Sequence, residues 1–344
     1  MNTSQSAAML QLINGFHVSR ALYVAAKLGL ADLVAEGSKS SAELAAATKT
    51  NSVALLRVIR VLASVGVFEM QADHRIAKTD ITMTLLSEVP GSLRGWAIDQ
   101  LGGEHYLAWG ELLHSVRTGD VAFEQVFGKN AWDHRAENPQ SAQEFDEGMS
   151  SYIGLHNHAV LNAYPFANLD VLYDLGGGEG RLIETILLAC PKLQGMLLEQ
   201  PHVVPRAKLR LSNSGLNKRC EVVEGNIFEA IPENDSDKYS AYLLARVIHD
   251  WNDELALKIL TVCRRSMTHK NVLLLVERIM PEDIEANPNT RALTVSDLNM
   301  LVMTGGCERT KTQYSALLEA SGFEIVSIRS TETALSVIEA RAIV

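Results

Sequence analysis

Residues 171–180 read VLYDLGGGEG, and this stretch decides the fold. A short apolar run passes directly into a glycine-rich turn, and a helical pattern begins at Arg181 or just before it. Glycine is needed where the backbone turns tightly and a ligand approaches the main chain. In open α/β sheets, ligands bind outside the carboxyl ends of the strands. The stretch therefore predicts a strand, a ligand-binding turn and a helix, although an ordinary glycine-rich turn stays open on these residues alone.

From about residue 170 onward, short apolar runs alternate with amphipathic helical patterns, which indicates a parallel sheet wound with helices. The last two runs are joined only by residues 329–333, too few for a parallel crossover, so they should pair antiparallel. The runs are Val171–Leu175, Met196–Leu198, Glu221–Val223, Ala241–Ile248, Val272–Val276, Glu324–Ile328 and Ala334–Ile338. We expect an α/β domain over residues 166–344, with a parallel sheet closed by an antiparallel hairpin.

Residues 8 to about 165 show a different pattern, with apolar residues three to four positions apart, as in Val53–Leu62. Ser40 and Glu43 have the spacing of a capping box at a helix start. Residues 67–70 and 75–77 could form a small hairpin, so residues 1–165 are predicted to be a helical, winged-helix-like domain. Such a module can bind DNA, but the net charge of −10 disfavours a phosphate-binding surface. A dimerisation and substrate-lid domain is the interpretation we prefer.

The composition, with 47% hydrophobic and 21% charged residues, is that of an ordinary globular protein. None of the four cysteines lies in a C-x-x-C pair, so no zinc or redox spacing is present. The first residues lack the features of a signal peptide, and no apolar stretch reaches the roughly 18 residues of a membrane span. We expect a cytoplasmic protein with no membrane, nucleic-acid or metal partner.

Two further strand ends strengthen the interpretation of residues 171–180 as a cofactor site. Glu199 lies 25 residues after Asp174 and can accept hydrogen bonds from ribose hydroxyls. The next strand is followed by Gly-Asn-Ile-Phe at 225–228, where Asn226 could bind an adenine edge and the two apolar side chains could pack against the ring. The G-x-G-x-G spacing and the lack of a following lysine argue against a bound phosphate. A nucleoside cofactor without phosphates fits best.

A histidine and two glutamates form the candidate catalytic group. His249 follows the run Ala241–Ile248, where it would face the ligand cleft, although a structural histidine at a helix start is the alternative. Glu277 follows the run Val272–Val276, and Glu308 lies in a loop after two glycines. Carboxylates beside an imidazole fix its tautomer and raise its basicity. Either glutamate taken alone would be read as a surface carboxylate.

Four segments resemble the plant-type small-molecule O-methyltransferases, a family that includes caffeate and acetylserotonin O-methyltransferases and bacterial antibiotic-tailoring enzymes. The most specific match is LARVIHDW at 244–251, followed by GGCERT at 305–310, and the other two are 174–180 and 276–281. The resemblance extends over nearly the whole chain. It implies a Rossmann-like class I methyltransferase sheet, an S-adenosylmethionine cofactor and a homodimer with entwined N-terminal helices.

The resemblance also implies residue roles. His249 matches the general base, and Glu277 and Glu308 match the two carboxylates that orient it. Arg246 matches a residue that holds the carboxylate of the cofactor. Asp297 matches a position near the substrate whose role we do not assign. Two positions depart from the family. Glu199 stands where many members have aspartate, which keeps the chemistry with a longer side chain, and Asn226 stands where most have aspartate, which puts cofactor affinity in question.

The full expectation is an S-adenosylmethionine-dependent methyltransferase acting on a hydroxyl of a small aromatic, phenolic or polyketide-like, secondary metabolite. The cofactor-binding set is Asp174, Gly176, Gly178, Glu199, Gly225, Asn226, Ile227, Phe228, Arg246 and Trp251. The acceptor-binding candidates are Phe16, His105, Tyr106, Trp109, Phe145, Met149, Asn299, Met300 and Met303. The helical spacing of the last two methionines is equally typical of core packing. Two alternatives are an enzyme of the same fold with non-methylating chemistry (a cyclase, decarboxylase or hydroxylase) and a DNA-binding sensor.

Overall fold

The structure is a computed structural model, and it describes residues 3–87, 89, 91–154, 156–233, 238–268 and 270–343. The chain forms two compact units, which are described separately. One comprises the chain up to Leu107 together with Asn138–Tyr152, and the other comprises Ala108–Glu137 and Ile153 onward. Helices α7 (Gly103–Gly110) and α11 (Pro139–Gly154) pass from one unit into the other.

The first unit is helical, as predicted. Its further elements are α1 (Thr3–Lys27), α2 (Leu30–Ala35), α3 (Ser41–Thr48), α4 (Ser52–Ser64), β1 (Phe68–Met70), β2 (Ile76–Lys78), α5 (Asp80–Met83) and α6 (Arg94–Leu101). Strands β1 and β2 pair antiparallel, which confirms the small hairpin. Ser40 caps α3, and Glu43 returns a hydrogen bond to the Ser40 backbone, so the capping box is also confirmed.

The second unit contains the sheet. Its strands are β3 (Val171–Leu175), β4 (Gln194–Glu199), β5 (Cys220–Glu224), β6 (Ser240–Ala245), β7 (Val272–Met280), β8 (Arg309–Thr310), β9 (Phe323–Ser330) and β10 (Leu335–Ala342). Its helices are α8 (Leu112–Thr118), α9 (Ala122–Phe127), α10 (Ala131–Glu137), α12 (Asn157–Ala163), α13 (Arg181–Ala189), α14 (Val204–Asn213), α15 (Asp253–Ser266), α16 (Pro288–Met303) and α17 (Lys311–Ala320). Short 3₁₀ turns lie at Phe166–Asn168 and Ile248–Asp250.

The strand order β5-β4-β3-β6-β7-β10-β9 confirms the predicted sheet. Strands β3 to β7 are parallel, and β10 pairs antiparallel with both β7 and β9. Strands β4 and β5 follow one another on one side of β3, and β6 then pairs with the other side of β3. Such a switch point opens a crevice at the carboxyl ends of the two strands. The glycine turn after β3 and the His249 segment after β6 therefore lie at the same edge.

Two strand ends differ from the predicted runs. Strand β6 stops at Ala245 instead of continuing to Ile248, because Arg246 has a φ of 57° and turns the chain out of the sheet. Strand β7 continues past Val276 to Met280 because β10 pairs with it through Glu277 and Arg278. Glu277 thus lies within a central strand.

The division into units also differs from the predicted boundary at residue 165. Residues 108–137 and 153–165 belong to the sheet-containing unit. Phe123 of α9 and Met303 of α16 lie in one buried apolar cluster, which explains why this stretch packs with the C-terminal half. None of the helices in the described residues is long and apolar enough to cross a membrane.

Candidate active site

The glycine turn after β3 is shaped by left-handed backbone and by close packing. Gly176 and Gly178 have φ values of 71° and 59°, which disfavour side chains. A Cβ built on Gly178 meets nothing within 4 Å, so the backbone borders open space there. A Cβ on Gly177 would lie 2.3 Å from Oδ2 of Asp174. The turn therefore has an open side at Gly178 and a packed side over Asp174.

A contact between Asp174 and the cofactor would require its side chain to border the open part of the turn, and it does not. Its side chain is completely buried, and neither carboxylate oxygen has a hydrogen-bond partner within the part of the chain that the structure describes. Burial and the nearby Glu199 raise the pKa of Asp174 to about 7. A direct contact with a ligand is therefore unsupported, because the carboxyl group lies beneath the turn.

Glu199, at the end of β4, holds the glycine turn in place. Its carboxylate accepts hydrogen bonds of 2.8 Å from the backbone N–H groups of Gly178 and Gln200. Burial raises the pKa of Glu199, and these two hydrogen bonds oppose that shift. The residue thus joins the ends of β3 and β4, and its remaining lone pairs are suited to hydroxyl donors.

The loop after β5 uses Asn226 in a way the sequence did not predict. The Oδ1 atom of Asn226 accepts from the backbone N–H of Phe228 at 3.0 Å, and its Nδ2 donates to Glu229 at 2.8 Å. The turn thus uses one N–H and one lone pair of the amide, which leaves one of each, and a contact with an adenine edge stays a prediction. Phe228 packs edge-on against Trp251, with ring centroids 4.7 Å apart.

His249 lies in the 3₁₀ turn after β6, where it is buried. Its Nδ1 is 2.6 Å from Oε2 of Glu277, while the other Glu277 oxygen accepts from the backbone N–H groups of Val247 and Ile248. One carboxylate therefore fixes both the ring and the turn that carries it. Nε2 of His249 lies 3.5 Å from the carboxylate of Asp250.

The charges around His249 dominate its protonation. Burial by itself lowers the pKa of an imidazole, but the carboxylates of Glu277 and Asp250 outweigh it and raise the pKa of His249 to about 9. Glu308 acts in the same direction more weakly. The site thus favours the imidazolium and makes the neutral ring a stronger base than an ordinary histidine.

Glu308 is held by two residues of helix α16. Ser296 donates to Oε1 of Glu308 at 2.7 Å, and Asp297 accepts from its backbone N–H at 2.9 Å. Arg278 lies 3.7 Å from the same oxygen. Asp297, to which we assigned no role, thus fixes the loop that carries a candidate catalytic carboxylate.

One ligand atom from each of His249, Glu277 and Glu308 lies within 4.8 Å of the others, so among the described residues this group could hold a metal ion. However, two ligands at about 2.1 Å from a tetrahedral zinc ion lie roughly 3.4 Å apart. The 2.6 Å contact between His249 and Glu277 is closer than that and is a direct hydrogen bond. The arrangement therefore favours acid–base chemistry, and the expectation of no metal stays a prediction.

The acceptor-binding candidates lie in both units. In the sheet-containing unit, Trp109 donates to Asn299 at 2.8 Å, which links α7 to α16. Met303 is fully buried in an apolar cluster, and Met300 is also buried, so core packing explains both without a ligand. The two methionines are therefore not part of the proposed acceptor-binding set.

In the helical unit, Phe16 stacks on Tyr106 with ring centroids 6.0 Å apart, and both side chains are exposed. His105 is buried, with its Nε2 3.0 Å from the amide nitrogen of Gln100. Phe145 and Met149 on α11 are partly buried.

Three residues near His249 were not predicted as site residues. Asp250 lies beside Nε2, Trp132 of α10 lies 6.0 Å from Trp251 between ring centroids, and Arg309 contacts the turn that carries His249. Asp250 and Arg309 were both part of the quoted motifs. The available signal for Arg309 was an arginine directly after Glu308 in the GGCERT motif, but its partners Ile248, Trp251 and Asp253 are distant in sequence.

Two family models match the chain. The O-methyltransferase domain matches residues 109–324, and the O-methyltransferase dimerisation domain matches residues 10–88.

Relatives and solved structures match over nearly the full length. A phenazine O-methyltransferase of Lysobacter antibioticus is 40% identical over 98% of this chain and 96% of its own length. The crystal structure of LaPhzM superposes with a TM-score of 0.92 at 39% identity, covering 98% of this chain and 99% of the other. The O-methyltransferase NcsB1 of neocarzinostatin biosynthesis, solved with S-adenosylmethionine and a naphthoic acid, has a TM-score of 0.81 at 29% identity over 94% and 96% of the two chains.

One relative carries a different activity in its name. The aclacinomycin 10-hydroxylase of Streptomyces purpurascens is 32% identical over 94% of this chain and 86% of its own length.

Proposed function

This chain belongs to the small-molecule O-methyltransferase family, and from that premise we propose that His249 is its general base. The chain is an S-adenosylmethionine-dependent O-methyltransferase for small aromatic secondary metabolites. The observation that carries the base assignment is the buried 2.6 Å contact between Nδ1 of His249 and Glu277. In the neutral ring this contact keeps the proton on Nδ1 and leaves Nε2 as the acceptor.

The proposed reaction is a single displacement. His249 takes the proton of an acceptor hydroxyl through Nε2, which makes that oxygen the nucleophile. The bound cofactor would supply a sulfonium methyl group, whose S–C bond breaks with its electron pair remaining on the sulfur of a neutral thioether. Glu277 holds the ring and stabilises the imidazolium that forms, as in other carboxylate–histidine pairs. A positioned base of this kind contributes about 10²–10⁴-fold to the rate.

The raised pKa of His249 fits a phenolic acceptor. A phenol has a pKa of about 10, so transfer of its proton to an ordinary histidine of pKa about 6.5 is uphill by roughly 5 kcal/mol. With the pKa of His249 raised to about 9, the proton transfer is far less unfavourable. Because of the raised pKa, a smaller fraction of His249 is in the neutral, basic form at pH 7. The close match between these two pKa values supports a phenol as the proposed acceptor.

The loops at the sheet edge suit the cofactor. Gly178 leaves space above the turn, and Glu199 offers carboxylate lone pairs to two ribose hydroxyls. We assign Arg246, which follows β6, to the carboxylate of the methionine moiety. Gly225 has no space for a side chain, because a Cβ would lie 2.8 Å from Leu198, and Asn226 holds the turn that presents Ile227 and Phe228. Trp251 supports Phe228 from the side.

A homodimer through the N-terminal helices is part of the proposal. Helix α1 exposes an apolar face made of Met9, Leu10, Leu12, Ile13 and Phe16. An apolar patch of this kind is covered by a partner in most proteins. The matching dimerisation domain begins at the same helix, which supports a second copy as that partner. The four free thiols support the expected cytoplasmic location.

The test uses methyl-labelled S-adenosylmethionine with a panel of phenols and phenolic acids. We expect labelled product from the wild type and a loss of about 10²–10⁴-fold in kcat for His249→Ala, with unchanged cofactor affinity. His158→Ala, which removes an exposed histidine of the same unit, is the matched control and should retain full activity. Near-normal turnover by His249→Ala would refute the base assignment.

The hydroxylase relative supports a second candidate, cofactor binding without methyl transfer. The intact His249–Glu277 pair argues for methyl transfer, because loss of that chemistry would free these positions to drift. Cofactor binding by calorimetry with no labelled product on any acceptor would favour the second candidate.

A further inference from the structure

Arg309 is a fully buried cation that the proposed reaction does not use. Its side chain is 1% exposed. It lies in the short strand β8, directly after Glu308, and β8 pairs in parallel with β7 through Ile279. An arginine buried to this degree must direct its donors to fixed acceptors, because an unpaired buried charge is strongly unfavourable.

The acceptors of Arg309 lie on both sides of His249. One guanidinium nitrogen donates to the carbonyl of Ile248 at 3.1 Å, and the other donates to the carbonyl of Trp251 at 2.8 Å. The guanidinium also binds the Asp253 carboxylate, with contacts of 2.9 Å from Nε and 2.8 Å from Nη2. The fork thus spans the turn that carries the base and joins it to the start of α15.

The loop before Arg309 touches the same turn. A Cβ built on Gly306 would lie 2.0 Å from the carbonyl oxygen of His249 and 2.6 Å from the backbone nitrogen of Trp251. The backbone of the loop and the backbone of the turn are therefore in direct contact. The loop that presents Glu308 and the turn that presents His249 consequently cannot shift independently.

We propose that Arg309 is a positioning residue for the general base, holding the His249 turn against Asp253 and the Glu308 loop. A planar fork with five fixed donors is suited to this task, whereas a lysine ammonium cannot reach the same set of acceptors. The chemistry tolerates little displacement, since a shift of about 1 Å at a reacting group can cost roughly 10²-fold in rate. The assignment rests on the proposed role of His249.

The test compares Arg309→Lys with Arg264→Lys. Arg264 also donates to two backbone carbonyls, those of Gly322 and Ile343, but it does not contact the His249 turn. For Arg309→Lys we expect kcat to fall by about 10²-fold, with the cofactor Kd within about threefold of wild type. The control should lose thermal stability without losing kcat.

A second readout needs no turnover. The ring of His249 is titrated by NMR in the ligand-free protein and assigned by its absence in His249→Ala. We expect the Arg309→Lys ring to titrate below the wild-type value, because a displaced turn loosens the contact with Glu277. If the wild type methylates no acceptor, the methyl-transfer proposal fails, while this titration still tests the positioning role.

Loss of stability alone in Arg309→Lys, with kcat and the ring titration unchanged, would overturn the proposal. If Arg309→Lys does not fold, Asp253→Ala decides. The Asp253 side chain is 81% exposed, so water can replace its carboxylate while Arg309 keeps the carbonyls of Ile248 and Trp251, and the fold should persist with one end of the fork released. We expect a fall of about 3–10-fold in kcat and a lower ring titration, and wild-type values for both would overturn the assignment.

Discussion

Two carboxylates at the same edge of the sheet are equally buried and held in opposite ways. Glu277 in β7 accepts hydrogen bonds from His249 and from two backbone N–H groups. Asp174 in β3 has no hydrogen-bond partner for either oxygen among the described residues, and burial raises its pKa to about 7. Equal burial thus leaves room for very different hydrogen bonding. The fold places donors around Glu277, the carboxylate beside the proposed base, and none of the described residues donates to Asp174.

The comparison is tested most strongly by Glu277→Gln. Glutamine can keep one oxygen on the two backbone N–H groups, but its amide then donates to Nδ1 of His249. This forces the proton onto Nε2, the atom that should accept it. We expect kcat to fall by about 10³–10⁴-fold, as for other carboxylate-to-amide changes at a histidine. Steady-state kinetics at saturating cofactor measures this, and calorimetry should show unchanged cofactor binding.

The pH dependence of kcat/KM tests the protonation state of His249 beside Glu277. The base must be neutral, so kcat/KM should rise with pH, and its midpoint should lie below 9 with the cationic cofactor bound because like charge lowers an imidazole pKa. A flat profile in the wild type between pH 6 and pH 9 would contradict the base role.

Asp174→Asn is expected to have a smaller effect, on stability. The pKa of Asp174 is raised from 3.8 to about 7, so the folded state favours the protonated form. Its contribution to stability is complete below about pH 4 and is lost as the pH rises through 7. Asparagine mimics the protonated form, and we expect it to stabilise the protein by about 1–2 kcal/mol at pH 8 and hardly at pH 4.

Urea denaturation at the two pH values measures this difference. Asp283→Asn, at an exposed loop position, is the matched control and should leave the pH dependence unchanged. A variant equally destabilised at both pH values would show that Asp174 is ionised in the folded protein.

Glu199→Gln should have the smallest effect. Glutamine retains an acceptor for the N–H of Gly178, so the glycine turn stays in place, but the charge that would bind ribose hydroxyls is lost. We expect the Kd for S-adenosylmethionine to rise about 10-fold, with kcat at saturation little changed. Glu224→Gln, at the register partner of Glu199 on β5, is the control and should bind normally. Equal affinities in the two variants would remove Glu199 from the cofactor site.

Much of the site was predictable from sequence because its residues follow strand ends. The glycine turn, Glu199 and the His249 segment each come directly after an apolar run, and parallel strands bring such positions to one edge. The second task of Asn226, holding its own turn through Phe228 and Glu229, was not predicted, because these local contacts have no apolar signature.

The sequence by itself determined the sheet, the helical N-terminal half and the identity of the His249, Glu277 and Glu308 group. Apolar periodicity and motif spacing are local properties, so they can be read along the chain. Only the tertiary structure decided that Glu277 lies inside a strand paired with Ser336, that Asp174 is buried without partners, and that Arg309 joins Ile248 to Asp253. The pairs formed by Glu277 and Arg309 join residues about 56 to 61 positions apart, and burial and hydrogen bonding between such residues exist only once the sheet is assembled.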